Sequence, residues 1–252
     1  MKYGEIITLG RHKLMCGDAT SREDVMGLVD GVKVDLVLTD PPYGIRSVNP
    51  NSKTVGGGKI THFKGQVVKK ILCKKYPPVI GDTDTYMFRE SWQILRTICT
   101  RHVIWGGQNF TDMLPPTCGW IFWDKCRSEG LTFSDGELAW SNISTKVKKY
   151  SHKWDGLTRA GSRVFNEKVH PNQKPVELHM KILEDFTKPD DVILDCFGGS
   201  GTTLIACEMT GRKCLMMEIS PEYCDIIRER YEKLKDFTPL FNSGRTEKSC
   251  PQ

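Results

Sequence analysis

Short apolar runs alternate along the chain with stretches of helical period, and turn residues separate them. Residues 34–39 read Val-Asp-Leu-Val-Leu-Thr, a β-branched and nearly continuous apolar run of the kind found in parallel strands buried on both faces. Asp40-Pro41-Pro42 ends it, since two successive prolines remove two ladder donors. Further strands are expected at 102–106, 119–124, 137–142, 192–195 and 213–218. A helix is expected over 84–100, where Met87, Trp92, Leu95, Ile98 and Cys99 fall near helical spacing, and others over 175–187, 202–209 and 221–235. Such alternation predicts an α/β fold. Two stretches lack a long apolar period: 46–80, rich in glycine and lysine, and 143–169, basic and polar. The first reads as a mobile basic loop, long enough to be either functional or disordered. A polar tail at 240–252 is expected to fray, which leaves 1–239 as a single domain.

Composition adds bounds. With 252 residues, 38% of them hydrophobic and 27% charged, the chain can bury a core without disulfide or metal staples. No apolar run reaches the length of a membrane span and residues 1–5 lack a signal-peptide core, so a cytoplasmic protein without membrane contact is expected. Ten cysteines, none in a Cys-x-x-Cys pair, read as free thiols, and no metal site is expected. The formal charge of +5 is modest but unevenly spread. Lys59, Lys64, Lys69, Lys70, Lys74 and Lys75 crowd one segment; Lys146, Lys148, Lys149, Lys153, Arg159, Arg163 and Lys168 crowd another. Each is either a solvated face or a nucleic-acid surface.

Residues 192–203 run from a strand through Asp195-Cys196-Phe197-Gly198-Gly199-Ser200-Gly201 into a helix that Thr202 or Thr203 can cap. Glycines let the backbone approach a ligand closely. Glu218 closes the next strand, 23 residues beyond Asp195, where an acid can accept hydrogen bonds from the ribose hydroxyls of an adenosine cofactor. Glycines at 198, 199 and 201 do not make the Gly-x-Gly-x-x-Gly of a dinucleotide site. A carboxylate at the strand end also suits a cationic cofactor better than a pyrophosphate. Both features favour S-adenosyl-L-methionine over a nicotinamide cofactor.

Asp40-Pro41-Pro42-Tyr43 offers acceptors in a stiff loop at the end of a buried strand. An exocyclic base amine is a poor nucleophile because its lone pair is delocalised into the ring. Asp40 and the Pro41 carbonyl can accept its two hydrogens and draw the nitrogen toward tetrahedral geometry, while Tyr43 gives an extruded base a face to stack on.

Together these residues resemble the amino-methyltransferases of DNA, in particular the circularly permuted beta class, in which Asp-Pro-Pro-Tyr precedes a Phe-x-Gly-x-Gly loop. His170-Pro171-Asn172-Gln173-Lys174-Pro175 is similar to the family's segment just upstream of that loop, and Cys16-Gly17-Asp18 to its short strand at the cofactor adenine. Cys196 departs from the proline often found there. The resemblance implies a Rossmann-like S-adenosylmethionine-dependent methyltransferase fold, with a seven-stranded, mostly parallel sheet between helices. It also implies Asp195 and Lys174 near the methionine end, Glu218 at the ribose and Asp18 at the adenine.

In such a family, residues 127–169 fill the slot for target recognition. Lys146, Lys148, Lys149 and Arg159, with Lys69 and Lys70 from the basic loop, are then candidates for phosphates. Ser141, Asn142 and Arg163 are candidates for base edges of double-stranded DNA. Trp140 and Trp154 read as packing residues. The expected activity is transfer of a methyl group to adenine N6. Cytosine N4, an RNA adenine and an inactive DNA-binding protein are the alternatives. The sequence leaves open a homodimer, a phage or prophage origin and a role in restriction–modification.

Overall fold

The computed structural model describes residues 1–45, 62–63, 66–67, 80–127, 134–154, 169–170 and 172–242, with side chains as far as 235. Strands β1 (Ile6–Leu9), β2 (His12–Cys16) and β3 (Leu36–Thr39) come first, with helix α1 (Arg22–Val29) between the last two. A two-residue ladder, β4 (His62–Phe63) with β5 (Gln66–Val67), stands apart from the main sheet. Helix α2 (Tyr86–Ile98) follows, then β6 (His102–Trp105), β7 (Ile121–Asp124), β8 (Gly136–Ser141) and β9 (Lys148–Ser151). The chain continues through α3 (Val176–Phe186), β10 (Val192–Asp195), α4 (Thr202–Thr210), β11 (Lys213–Glu218) and α5 (Pro221–Asn242).

Among the described residues, nine strands form one sheet in the order β1-β2-β11-β10-β3-β6-β8-β7-β9. The five from β2 to β6 in that order run parallel, and β8 and β1 run against their neighbours. The expected α/β fold is present, with nine strands where seven were expected. The hydrophobic alternation explains the layering. Leu36, Leu38, Val103, Trp105, Ile193 and Met216 point to one core, against α3, α4 and α5. Val37, Ile104, Leu194, Leu215 and Met217 point to the other, against α1 and α2. Parallel strands covered on both faces are apolar on both, which is why they were legible as continuous runs.

The chain leaves β3 toward β6 and leaves β10 toward β11, in opposite directions along the sheet, although β3 and β10 are hydrogen-bonded neighbours. A crevice therefore opens at the carboxyl ends of these two strands, the place where such sheets hold ligands. Among the described residues, no helix is long and apolar enough to cross a membrane.

Candidate active site

Four adjacent parallel strands end in a row with Gly17 and Asp18 after β2, Glu218 on β11, Asp195 on β10 and Asp40 after β3. At ~4.8 Å per strand the row spans ~14 Å. A cavity along it is lined by Gly17, Ala19, Asp40, Pro41, Pro42, Tyr43, Lys174, the loop from Asp195 to Ser200, and Glu218. The sequence-predicted catalytic stretch and cofactor loop thus face one cavity, although more than 150 residues separate them.

The cofactor loop is shaped by its glycines. Gly199 and Gly201 have φ of +51° and +79°, which glycine adopts without strain. The Gly198 amide bonds the Met217 carbonyl at 2.8 Å, and a Cβ on Gly198 would stand 2.9 Å from the Met216 side chain. The expectation that Thr202 or Thr203 caps α4 is corrected. Gly201 occupies the cap, and both threonines sit in the first turn with their hydroxyls engaged elsewhere. Thr202 donates to the Lys174 carbonyl at 3.1 Å, tying that residue to the loop. Thr203 meets His179 Nδ1 at 3.2 Å.

Two carboxylates in this half are buried among uncharged donors. Asp195 Oδ1 accepts from the Thr39 hydroxyl at 2.7 Å and the Phe197 amide at 3.1 Å. Glu218 accepts from the Gly199 amide at 2.7 Å and the Ser220 amide at 2.9 Å. Burial outweighs these bonds and pushes Asp195 up to about 6 and Glu218 up to about 7. Among the described residues, neither forms an ion pair with a lysine or arginine. Each carboxylate has lone-pair capacity left, so the pair fits a ligand bringing hydroxyl and cationic donors, as S-adenosylmethionine does. Phe197 adds an aromatic wall, and His170, edge-on to Tyr223 at 4.8 Å, lies against Gly199. Asp18 is less directly placed. Its carboxylate accepts from the Thr20 amide and hydroxyl at 2.8 Å, and its neighbours Gly17 and Ala19 line the cavity.

The other half is ionic. Tyr43 donates its hydroxyl to Asp40 Oδ1, and Lys174 donates to Asp40 Oδ2 at 2.6 Å and to the Tyr43 oxygen at 3.2 Å. Lys174, expected near the methionine end, has its ammonium on the Asp40 carboxylate, in the same cavity as Asp195. It also pairs with Glu137 of β8 at 3.1 Å, and Glu137 pairs with Lys125 at 2.7 Å. Burial alone would neutralise Lys174, but Asp40 and Glu137 overcome it and hold the ammonium charged. Likewise the two lysines overcome burial at Glu137 and keep its pKa at about 2. Burial raises Asp40 against the pull of Lys174. The Tyr43 ring lies over Gly106, whose φ is +66°, and a Cβ there would stand 2.1 Å from the ring. Asp82 accepts from the Gly44 and Ile45 amides, fixing the chain just beyond the tyrosine.

Sequence reasoning missed Glu137, Lys125, Asp82 and Gly106. Glu137 had a signal: a charged residue opening an otherwise apolar strand.

Part of the expected recognition segment is sheet, while 128–133 and 155–168 lie outside the described residues. Residues 136–141 and 148–151 are β8 and β9, the latter unforeseen. Trp140 and Trp154 are packed in the cores. Ser141 is buried, and Asn142 bonds the His102 amide and Thr100 carbonyl at the edge of the sheet away from the cavity. Lys148 opens β9 at that same far edge and pairs with Asp185 at 2.7 Å; Lys149 pairs with Asp124 at 2.7 Å. Lys146 is exposed just before them. Lys69, Lys70, Arg159 and Arg163 lie outside the described residues. Among the described residues no cluster of three or more histidine, cysteine or acidic side chains could hold a metal ion.

Comparison with known proteins bears on this geometry. A family model for N6/N4-type enzymes, described as DNA methylase, matches residues 81–229. The type II methyltransferase M.HpaI of Haemophilus parainfluenzae is 31% identical, over 95% of this chain and 79% of its own length. M2.MboI of Moraxella bovis is 25% identical, over 89% of each chain. Among solved structures, the M1.HpyAVI–SAM complex superposes with a TM-score of 0.54 at 21% identity, over 87% of this chain and 99% of the other. The PvuII DNA methyltransferase, described as cytosine-N4-specific, does so with 0.56 at 16% identity, over 97% and 98%. The chain belongs to the N6/N4 DNA methylase family and is an S-adenosylmethionine-dependent DNA amino-methyltransferase.

Proposed function

We propose that this enzyme methylates the N6 amine of an adenine extruded from duplex DNA, with Asp40-Pro41-Pro42-Tyr43 as the catalytic stretch. The observation that carries the reading is the adjacency of the Asp40 and Asp195 strand ends, joined by the Thr39–Asp195 hydrogen bond. Bound S-adenosylmethionine supplies an electrophilic methyl on a sulfonium. Glu218 would hold the ribose hydroxyls, Asp195 the cationic methionine end, and the loop from Phe197 to Thr203 the body of the cofactor. Asp18, at the rim, would face the adenine.

The target base would stack on the face of Tyr43 turned away from Gly106. Asp40 and the Pro41 carbonyl would accept the amine's two hydrogens, freeing the lone pair to form the new N–C bond as the C–S bond breaks. One proton would then pass from the methylated nitrogen to Asp40 and on to solvent, and the cofactor would leave as a neutral thioether. Asp40, already held by Tyr43 and Lys174, needs no reorganisation to accept. DNA would approach the carboxyl edge of the sheet, where both the catalytic and cofactor loops open. Lys69, Lys70, Arg159 and Arg163 belong to segments whose described flanks, at Ile45 and Ile80 and at Trp154 and Val169, adjoin that edge. The far-edge lysines 146 and 148 contribute weakly, in this reading, and Lys149 only after leaving Asp124.

Labelled S-adenosylmethionine, unmethylated duplex DNA and mass spectrometry of the digested nucleosides test the proposal. Label in N6-methyladenine is expected. Label in N4-methylcytosine keeps the mechanism and overturns the base. Label in RNA alone removes duplex DNA as the substrate.

A further inference from the structure

We propose that Glu137 is a positioning residue for methyl transfer: anchored by Lys125, it shares the ammonium of Lys174 with Asp40, so that Asp40 keeps the acceptor strength the target amine needs. This rests on the reading of Asp40 as amine acceptor and goes beyond it, to a residue on another strand.

A buried ammonium has three N–H donors, and Lys174 has three acceptors: Asp40 at 2.6 Å, Glu137 at 3.1 Å and the Tyr43 oxygen at 3.2 Å. Two of these belong to the catalytic stretch. The third comes from β8, which enters the sheet antiparallel beyond β6 and so presents its first residues at the carboxyl edge. Glu137 cannot swing freely, because its other oxygen is held by Lys125 at 2.7 Å, and that ammonium lies over the Trp123 ring. The result is a line of alternating charge, Lys125, Glu137, Lys174, Asp40, that sums to zero.

An alternating line has directional consequences. Without the charge of Glu137, Lys174 has Asp40 as its one carboxylate partner; the pair tightens, and Asp40 becomes more acidic and a weaker acceptor. Without the charge of Lys125, Glu137 draws Lys174 harder, and Asp40 is released and becomes less acidic. The other titratable groups facing Asp40 and Lys174 are Tyr43, Asp195 and His179; Glu137 also raises Tyr43, so loss of its charge moves that phenol down together with Asp40.

The test is kcat against pH at saturating cofactor and DNA for the wild type, Glu137→Gln, Glu137→Asp and Lys125→Gln. Glu137→Gln should lower kcat about 10- to 100-fold, the scale of a slightly misplaced reacting group, with the cofactor KM within about threefold. Its acid limb should move down by about one pH unit, while that of Lys125→Gln moves up. Glu137→Asp should recover part of kcat and return the limb toward the wild type. If Glu137→Gln does not fold, Lys125→Gln and Glu137→Asp still carry the signs. Limbs that stay put, or move the same way, in an active enzyme overturn the proposal and leave the site reading intact. An inactive wild type overturns the site reading and the proposal with it.

Discussion

The two ends of the cavity hold carboxylates a single strand apart, buried at one end and half-buried at the other, and they stabilise them differently. At the cofactor end, Asp195 and Glu218 rest on hydroxyls and backbone amides, and burial leaves both pKa values raised. At the base end, Asp40 and Glu137 share Lys174, and Lys125 completes the balance. Dipolar donors cannot fully replace water around a charge, so the first pair is poised for donors that a ligand brings. An ion-paired acceptor is already organised before substrate arrives. On the proposed reading, the difference separates a site for a cationic cofactor from a site for a neutral base.

Substitutions can break that contrast. The largest effect is expected for Asp40→Ala, which should reduce methyl transfer at least about 10³-fold. Lys174 keeps Glu137 as a partner, so the variant should fold, as circular dichroism can check. Next is Gly106→Ala. Its Cβ would collide with the Tyr43 ring at a positive φ, and transfer should fall about 10²-fold while calorimetric cofactor affinity stays near wild type. Glu218→Ala should do the reverse, weakening cofactor binding about 10- to 100-fold, the loss of charge-assisted hydrogen bonds, with DNA affinity unchanged.

A pH series sharpens the same contrast. Both acids at the cofactor end have raised pKa values, about 6 and about 7, so the ligand-free fold takes up protons there that the unfolded chain does not. Their contribution to stability therefore rises as pH falls through about 7 to 5 and is lost as pH climbs back. A ligand donating hydroxyl hydrogens and positive charge requires the ionised forms. Cofactor affinity should thus fall about tenfold between about pH 7.5 and pH 6, while the melting temperature gains from these two groups. Affinity flat across that interval would put neither acid on the cofactor. The smallest effect is expected at the far edge: Lys146→Ala with Lys148→Ala should change the DNA affinity, read by anisotropy, less than about threefold, as for surface charges away from the cavity.

Much of this was legible in the sequence, and for physical reasons. β10 and β11 have the bounds their apolar runs predicted, and α2 and α3 fall within two residues of theirs, because burial on both faces or along one helical stripe imposes a period. Asp40 and the glycine loop were found because prolines and glycines fix backbone shape locally. β9 was missed, since Lys148-Lys149-Tyr150-Ser151 buries one residue at a sheet edge and leaves no run to see. Glu137 and Lys125 acquire meaning only when β8 and β7 bring them beside Lys174. Lys174 sits on Asp40 with its carbonyl hydrogen-bonded by Thr202, a tertiary contact without local signature.

The most direct test of the account is a paired measurement on Asp40→Ala: cofactor affinity by calorimetry, and methyl transfer to duplex DNA under saturating cofactor. The account predicts affinity within about threefold of wild type and transfer reduced at least about 10³-fold, since the two ends are independent in binding and joined only in the reaction. Transfer at the wild-type rate, or loss of cofactor affinity in step with transfer, would contradict it.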